Sequence, residues 1–86
     1  MKVEMFYTPG CSDCVAAHAR LRTAAQEAVK NLVWRELNVL DELDYAVELG
    51  VLTLPSIAVD GKLVLTSMPT VAQLRTALIE RSKGRV

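Results

Sequence analysis

The two cysteines of the chain, Cys11 and Cys14, are the residues best suited to chemistry, because only two residues separate them. They follow an apolar run at residues 3–7 and precede an alanine-rich segment. A pair at this spacing can be a redox dithiol, half of a metal site, or two buried thiols. The motif leaves these three interpretations open, so the elements around it must distinguish them.

The composition is that of a single small domain. Its 86 residues are 51% hydrophobic, which is enough for a core without metal or disulfide cross-links. Ten basic and ten acidic side chains cancel, so we expect no nucleic-acid-binding surface. No apolar run approaches the ~18 residues of a membrane span, and the N-terminus lacks signal-peptide features. We therefore expect a cytoplasmic monomer without a membrane partner, although a mature exported domain would have the same sequence.

A helix is predicted directly after the cysteine pair. Residues 15–30 contain no glycine or proline, and Asn31 is a suitable stop. The apolar positions recur at helical spacing and form one inward stripe, made up of Cys14, Ala17, Leu21, Ala24, Ala25 and Ala28. Cys14 should therefore be buried on the first turn, and Cys11 should lie where the first strand meets the helix.

The rest of the chain alternates strands and helices. Periodicity and turn residues predict strands at 3–7, 32–39, 56–59 and 62–66 and helices at 15–30, 41–49 and 71–82. Gly50 should end the second helix, Asp60 and Gly61 should form a hairpin turn, and Thr70 should cap the last helix. We expect helix-separated strands to be parallel and the final hairpin to be antiparallel. The predicted fold is α/β, a β-α-β-α-β-β-α domain over residues 1–86 with a mixed four-stranded sheet covered by helices on both faces.

This order, with C-x-x-C between the first strand and helix and Pro55 opening the third strand, resembles the thioredoxin/glutaredoxin superfamily. Three segments carry the resemblance over nearly the whole chain: residues 6–14 (FYTPGCSDC), 49–57 (LGVLTLPSI) and 59–64 (VDGKLV). The length fits the minimal version of the fold found in glutaredoxins and small thioredoxin-like redoxins. The resemblance implies a thioredoxin-like fold and a redox-active Cys11–Cys14 disulfide, with no tightly bound cofactor.

Features that separate the two subfamilies are missing. Thioredoxins have a buried acid and a tryptophan ahead of the first cysteine, at positions where this chain has Met5 and Gly10. Glutaredoxins hold glutathione partly through a glycine pair after the hairpin, and residues 62–76 contain no glycine. A glutathione site is therefore doubtful, protein disulfides are the favoured substrates, and the subtype stays open.

Thiol–disulfide exchange needs an accessible thiolate and a second thiol that resolves the mixed disulfide. At a helix start, backbone N–H groups and the positive helix end lower a thiol pKa from ~8.5 toward ~7 or below. We therefore expect Cys11 to be the nucleophile and the less exposed Cys14 to be the resolving thiol. Asp13 lies between them in the sequence, and its negative charge would oppose formation of the Cys11 thiolate. We therefore hypothesise that Cys11 is less acidic and that the protein acts as a reductant.

The resemblance also implies a substrate surface around the dithiol. Pro55 would be a cis-proline that faces the cysteines, and the backbone of Leu54 would pair with an extended substrate segment. A trans proline that only starts a strand is the alternative. The expected substrate-contacting residues are Tyr7, Pro9, Gly10, Ser12, Asp13, Leu54, Pro55, Ser67 and Met68. Tyr7 is equally suited to packing on the first helix, and Ser67 and Met68 to a plain loop.

The favoured function is a thiol–disulfide oxidoreductase in cell redox homeostasis that reduces protein disulfides and is itself reduced by an external reductase or thiol. The alternatives are a non-catalytic redox sensor or adaptor, a glutathione-dependent glutaredoxin, and a metal or iron–sulfur site completed by a second protomer or by glutathione. His18 could serve as a metal ligand together with Cys11 and Cys14. It falls on the flank of the helical stripe, however, and no second Cys/His pair exists, so we expect a surface histidine and no metal.

Overall fold

In the computed structural model, which describes residues 1–66 and 69–83, the seven predicted elements form in the predicted order. They are the strands β1 (Lys2–Tyr7), β2 (Val33–Asn38), β3 (Ser56–Val59) and β4 (Lys62–Leu65) and the helices α1 (Ser12–Ala28), α2 (Leu43–Leu49) and α3 (Val71–Lys83). The largest difference is at α1, which begins at Ser12 rather than at residue 15. None of the helices within these ranges is long and apolar enough to cross a lipid bilayer.

The four strands form one mixed sheet in the order β2-β1-β3-β4. β1 and β2 are parallel, as predicted for strands joined by a helix, and β3 and β4 form an antiparallel hairpin. β3, however, runs antiparallel to β1, with Ser56 opposite Phe6 and Val59 opposite Val3. The expectation that all helix-separated strands are parallel is therefore wrong for β3.

The short α2 helix explains the direction of β3. Its seven residues rise only about 10 Å, whereas a six-residue strand such as β2 extends about 20 Å. The helix alone therefore cannot return the chain to the opposite edge of the sheet. β3 begins at the edge where β1 and β2 end, and this brings Pro55 to the edge at which the cysteines lie.

Helices cover both faces of the sheet, as predicted. On the face of α1 and α3, the core consists of Val3, Met5, Cys14, Ala17, Leu21, Ala25, Ile57, Val59, Leu74 and Leu78. On the face of α2, it consists of Phe6, Leu37, Ala46 and Ala58. Successive side chains of β1 point to opposite faces, so Met5 and Phe6 belong to different cores. The predicted inward stripe of α1 is confirmed, although Ala28 is only half-buried.

The predicted turns and caps also form. Gly50 ends α2 in the left-handed region at φ 87°, which a glycine adopts without steric cost. Asp60 and Gly61 have φ values of 50° and 83°, as a two-residue hairpin turn requires. At α3, Thr70 Oγ1 accepts from the Gln73 N–H and Gln73 Oε1 accepts from the Thr70 N–H, which is a reciprocal capping box.

A buried acid on the α2 side of the sheet was not predicted from the sequence. Glu4 is only 1% exposed. Tyr45 Oη donates a 2.6 Å hydrogen bond to its Oε1, and Arg35 Nη1 lies 3.4 Å from its Oε2. This network ties β1, β2 and α2 together on the face opposite to Cys14, so it supports the sheet and is not part of the cysteine site.

Candidate active site

Cys11 is the N-cap residue of α1, which confirms its predicted place between strand and helix. Its Sγ accepts a 3.1 Å hydrogen bond from the Cys14 N–H, and its own N–H donates to the Thr8 carbonyl at 3.1 Å. The capping sulfur explains why the helix begins three residues earlier than the alanine-rich pattern indicated. Cys11 is partly exposed, so its sulfur lies at the positive end of the helix within reach of solvent.

Cys14 is buried on the first turn of α1 and is 2% exposed. It forms a disulfide with Cys11, with the two Cα atoms 5.3 Å apart. A bonded pair with one partly exposed and one buried member fits a redox dithiol rather than two buried thiols. Among the described residues, no group of three or more His, Cys, Asp or Glu side chains is arranged to hold a metal ion.

Pro55 lies at the same edge of the sheet as the disulfide, because the next residue, Ser56, pairs with Phe6 at the end of β1. The Leu54–Pro55 peptide bond is cis, as the resemblance led us to expect. Pro55 is buried, and Leu54 is half-buried and packs against the cores on both faces of the sheet. The antiparallel direction of β3, which the sequence analysis missed, is what positions this proline.

The other candidate residues differ in their exposure. Tyr7 is half-buried and packs against the core that contains Cys14. The side chains next to the cysteines are exposed, namely those of Pro9, Ser12 and Asp13, and a Cβ at Gly10 would meet no atom within 4 Å. Ser67 and Met68 lie outside the described residues.

An apolar groove lies next to the Pro55 loop. It has a volume of about 190 Å³ and is lined by Val39, Leu43, Ala46, Val47, Val51, Leu52 and Leu54. Leu52 is 92% exposed and Val47 is 70% exposed. Four exposed acids lie in the same stretch of chain, Asp41, Glu42, Asp44 and Glu48, and residues 39–54 contain no lysine or arginine. The apolar groove beside Leu54 is thus formed by a segment whose charged residues are all acidic.

Sequence reasoning missed a second feature, a cavity of about 210 Å³ that reaches Cys14. His18 and Glu36 line it together with Cys14, and His18 Nδ1 lies 3.3 Å from Glu36 Oε2. Trp34 Nε1 donates a 2.9 Å hydrogen bond to the same oxygen. The sequence placed His18 on the helix flank, and it is indeed half-buried, but its pairing with Glu36 depends on the register of β2.

A disulfide of unequal exposure at the start of a helix, with a cis-proline at the same end of a four-stranded mixed sheet, defines the class of protein. The chain is a thioredoxin-fold thiol–disulfide oxidoreductase.

A family model described as a thioredoxin domain matches residues 1–79. A thioredoxin of Methanocaldococcus jannaschii is 29% identical over 86 residues, which cover 100% of this chain and 96% of that protein. A thioredoxin of Methanothermobacter thermautotrophicus is 39% identical over 64 residues, or 73% of this chain and 77% of that protein. The solved structure of thioredoxin 1 from Thermosipho africanus has the same fold, with a TM-score of 0.76 at 20% identity over 98% of this chain and 96% of that one. The chain belongs to the thioredoxin family.

Proposed function

We propose that the protein reduces disulfide bonds in other proteins, with Cys11 as the attacking thiol and Cys14 as the resolving thiol. The observation that carries this proposal is the unequal exposure of the two cysteines. Cys11 is partly exposed at the start of α1, whereas Cys14 is 2% exposed. Attack on a protein requires a reachable thiolate, while resolution requires only a neighbouring thiol, so this asymmetry favours the proposed division of roles.

The reaction has two exchange steps. The Cys11 thiolate attacks one sulfur of the substrate disulfide, forms a mixed disulfide, and releases the other substrate sulfur as a thiolate that takes up a proton. The Cys14 thiol then loses its proton and attacks Cys11 Sγ, which forms the Cys11–Cys14 disulfide and releases the second substrate thiol. Two electrons pass from the dithiol to the substrate, and an external reductase or thiol restores the dithiol.

The surface around the disulfide is suited to a protein substrate. The groove beside Leu54 offers exposed apolar side chains, and the acidic residues of the segment that forms it favour a partner segment in which basic residues flank apolar ones. An extended segment of this kind can pair with the backbone of Leu54 as an added strand. Tyr7, Pro9, Gly10, Ser12, Asp13, Ser67 and Met68 complete the proposed contact surface. We place the protein in the cytoplasm as a monomer, where a reductase can keep its dithiol reduced.

Reduction of insulin disulfides tests this function against a role as a redox sensor or adaptor. The wild-type protein should turn over in the presence of dithiothreitol, and Cys11→Ser should show no more reduction than dithiothreitol alone. Reduced Cys14→Ser, freed of dithiothreitol before it is mixed with insulin, should react once and remain bound to insulin. A wild-type protein that changes redox state but does not accelerate insulin reduction would support the sensor or adaptor instead.

A further inference from the structure

We propose that His18, held by Glu36, accepts the proton that Cys14 loses when it resolves the mixed disulfide. The proposal rests on the function proposed above and assigns the proton transfer in its second step. It makes His18 a catalytic residue and Glu36 a positioning residue.

The burial of Cys14 makes a proton acceptor necessary. The residue is 2% exposed and packs among apolar side chains, and burial of this kind disfavours the thiolate. The thiol must nevertheless be deprotonated before it can attack Cys11 Sγ. A group that shares a cavity with the sulfur can take this proton, directly or through water, more readily than bulk solvent can.

The cavity beside Cys14 contains such a group. It is lined by Met5, Tyr7, Cys14, Val15, His18 and Glu36. His18 lies one helical turn after Cys14, and helix side chains lean toward the N-terminus, so its ring lies over the turn that contains Cys14. His18 is also half-buried rather than enclosed, which allows the proton to pass on to solvent.

The contacts of Glu36 determine how the imidazole is held. Glu36 Oε2 lies 3.3 Å from His18 Nδ1 and accepts a 2.9 Å hydrogen bond from Trp34 Nε1. A carboxylate only accepts hydrogen bonds, so this contact assigns the hydrogen of a neutral ring to Nδ1 and leaves the lone pair of Nε2 as the proton acceptor. Trp34 in turn fixes the carboxylate, which gives the pair a defined orientation.

The other charged and titratable groups near His18 are less suited to this task. Tyr7 faces the cavity from β1, but a phenol oxygen is a far weaker base than an imidazole nitrogen. Glu36 faces it from β2 and is engaged by His18 and Trp34. Arg22 follows one turn later on α1, is exposed, and has no acceptor atom. Imidazole is the side chain whose ordinary titration falls between pH 5 and 8.

The step is balanced without a further reactant. The Cys14 Sγ–H proton moves to His18 Nε2, Cys14 Sγ forms a bond to Cys11 Sγ, and the bond between Cys11 Sγ and the substrate sulfur breaks. The substrate thiolate leaves with the electron pair of that bond. His18 then returns its proton to solvent or to the departing thiolate.

An aromatic disulfide, 5,5′-dithiobis(2-nitrobenzoate), separates the two steps because each releases one coloured thiolate. In stopped-flow measurements, attack by Cys11 is a phase whose rate depends on reagent concentration, and resolution by Cys14 is a phase whose rate does not.

His18→Gln should slow the second phase at pH 7 by at least about tenfold and leave the first phase unchanged. The deficit should close above about pH 9, where hydroxide deprotonates Cys14 directly. Glu36→Gln should produce a smaller deficit with the same pH dependence.

Arg22→Gln is the matched control, since it alters an exposed charge on the same helix and should leave both phases unchanged. A second phase that is unchanged in His18→Gln at every pH would overturn the proposal, and so would a deficit that is equal at pH 7 and pH 9.5. Absence of the first phase in the wild type would instead contradict the role of Cys11. Because His18 is the one histidine of the chain, its NMR titration can be followed without overlap. In the reduced protein, that titration should differ between the wild type and Cys14→Ser.

Discussion

Asp13 is the charged side chain closest in sequence to both cysteines, and it lies in the first turn of α1. Its carboxylate favours the helix through the positive helix end, and at the same time it opposes a negative charge on Cys11. Because Asp13 is exposed, water screens both effects. The nucleophile of this protein should therefore be moderately rather than strongly activated.

Asp13→Asn should raise the rate at which Cys11 attacks a small disulfide at pH 7. Removal of one charge at ~4 Å in water is worth about 1 kcal/mol, so the increase should not exceed about fivefold. The first stopped-flow phase measures this rate, and Ser12→Ala serves as a control that leaves the charge in place. A slower first phase in Asp13→Asn would mean that support of the helix outweighs the repulsion of Cys11.

At the residue scale, the sequence predicted the positions of side chains that depend only on neighbouring residues. Cys11 and Cys14 could be placed because a strand end, a turn and a helical stripe lie within a few residues of them. The pairing of His18 with Glu36 could not be predicted, because it joins residues 18 positions apart through the packing of α1 on β2. Glu4 was missed for a related reason, since its partners Tyr45 and Arg35 come from α2 and β2.

At the scale of elements, α2 is connected to the sheet by a polar network as well as by its apolar face. Only Ala46 is buried among the residues of this seven-residue helix. The Tyr45 hydroxyl donates to the buried Glu4 carboxylate, whose other side-chain contact within residues 1–66 and 69–83 is the 3.4 Å contact from Arg35. The hydrogen bond therefore both satisfies a buried acid and attaches the helix that precedes Pro55.

Tyr45→Phe should lower the free energy of unfolding by about 1–3 kcal/mol, because it leaves a buried carboxylate with one partner fewer. Urea denaturation followed by circular dichroism measures the change. Val47→Ala is the matched control on the same helix, since Val47 is 70% exposed and should change stability by less than about 0.5 kcal/mol. A Tyr45→Phe variant as stable as this control would show that the bond contributes nothing net.

The same hydrogen bond predicts a pH dependence. The bond to Glu4, followed by desolvation and the charge of Glu4, raises the pKa of Tyr45 from 10.0 to about 12. The folded state therefore favours the neutral phenol, and the stability gained this way is fully present below about pH 10. The difference in unfolding free energy between the wild type and Tyr45→Phe should be constant up to about pH 10 and decrease as the pH rises toward 12. A difference that stays constant to pH 12 would contradict this assignment.

The direction of β3 could not be predicted from the sequence, although its position in the chain could. The bounds of β3 were predicted correctly, and its hairpin with β4 follows from Asp60 and Gly61. Its orientation relative to β1 depends on how far residues 39–55 carry the chain, and local periodicity does not contain that information. The expectation that Pro55 faces the dithiol thus came from the family resemblance, and the short α2 explains why Pro55 lies at the same end of the sheet as the cysteines.

At the scale of the whole molecule, the proposed function requires a reducing dithiol, and the charge of Asp13, two residues after Cys11, favours one by opposing the Cys11 thiolate. We expect the potential of the Cys11–Cys14 couple to lie near the ~−270 mV of thioredoxin and below the ~−200 to −230 mV of glutaredoxins. Equilibration with glutathione and with an NADPH-linked couple, followed by thiol alkylation and mass spectrometry, measures it. A potential above about −200 mV would identify an oxidant and contradict the proposed direction of electron flow.

The most direct test of Cys11 as the attacking thiol is capture of the mixed disulfide. Reduced Cys14→Ser is incubated with insulin, quenched with acid, and digested under non-reducing conditions for mass spectrometry. We predict one insulin chain joined to Cys11, and no comparable adduct at Cys14 in the Cys11→Ser variant. An adduct that forms at Cys14 as fast as at Cys11, or the absence of any adduct with Cys14→Ser, would contradict the proposed function.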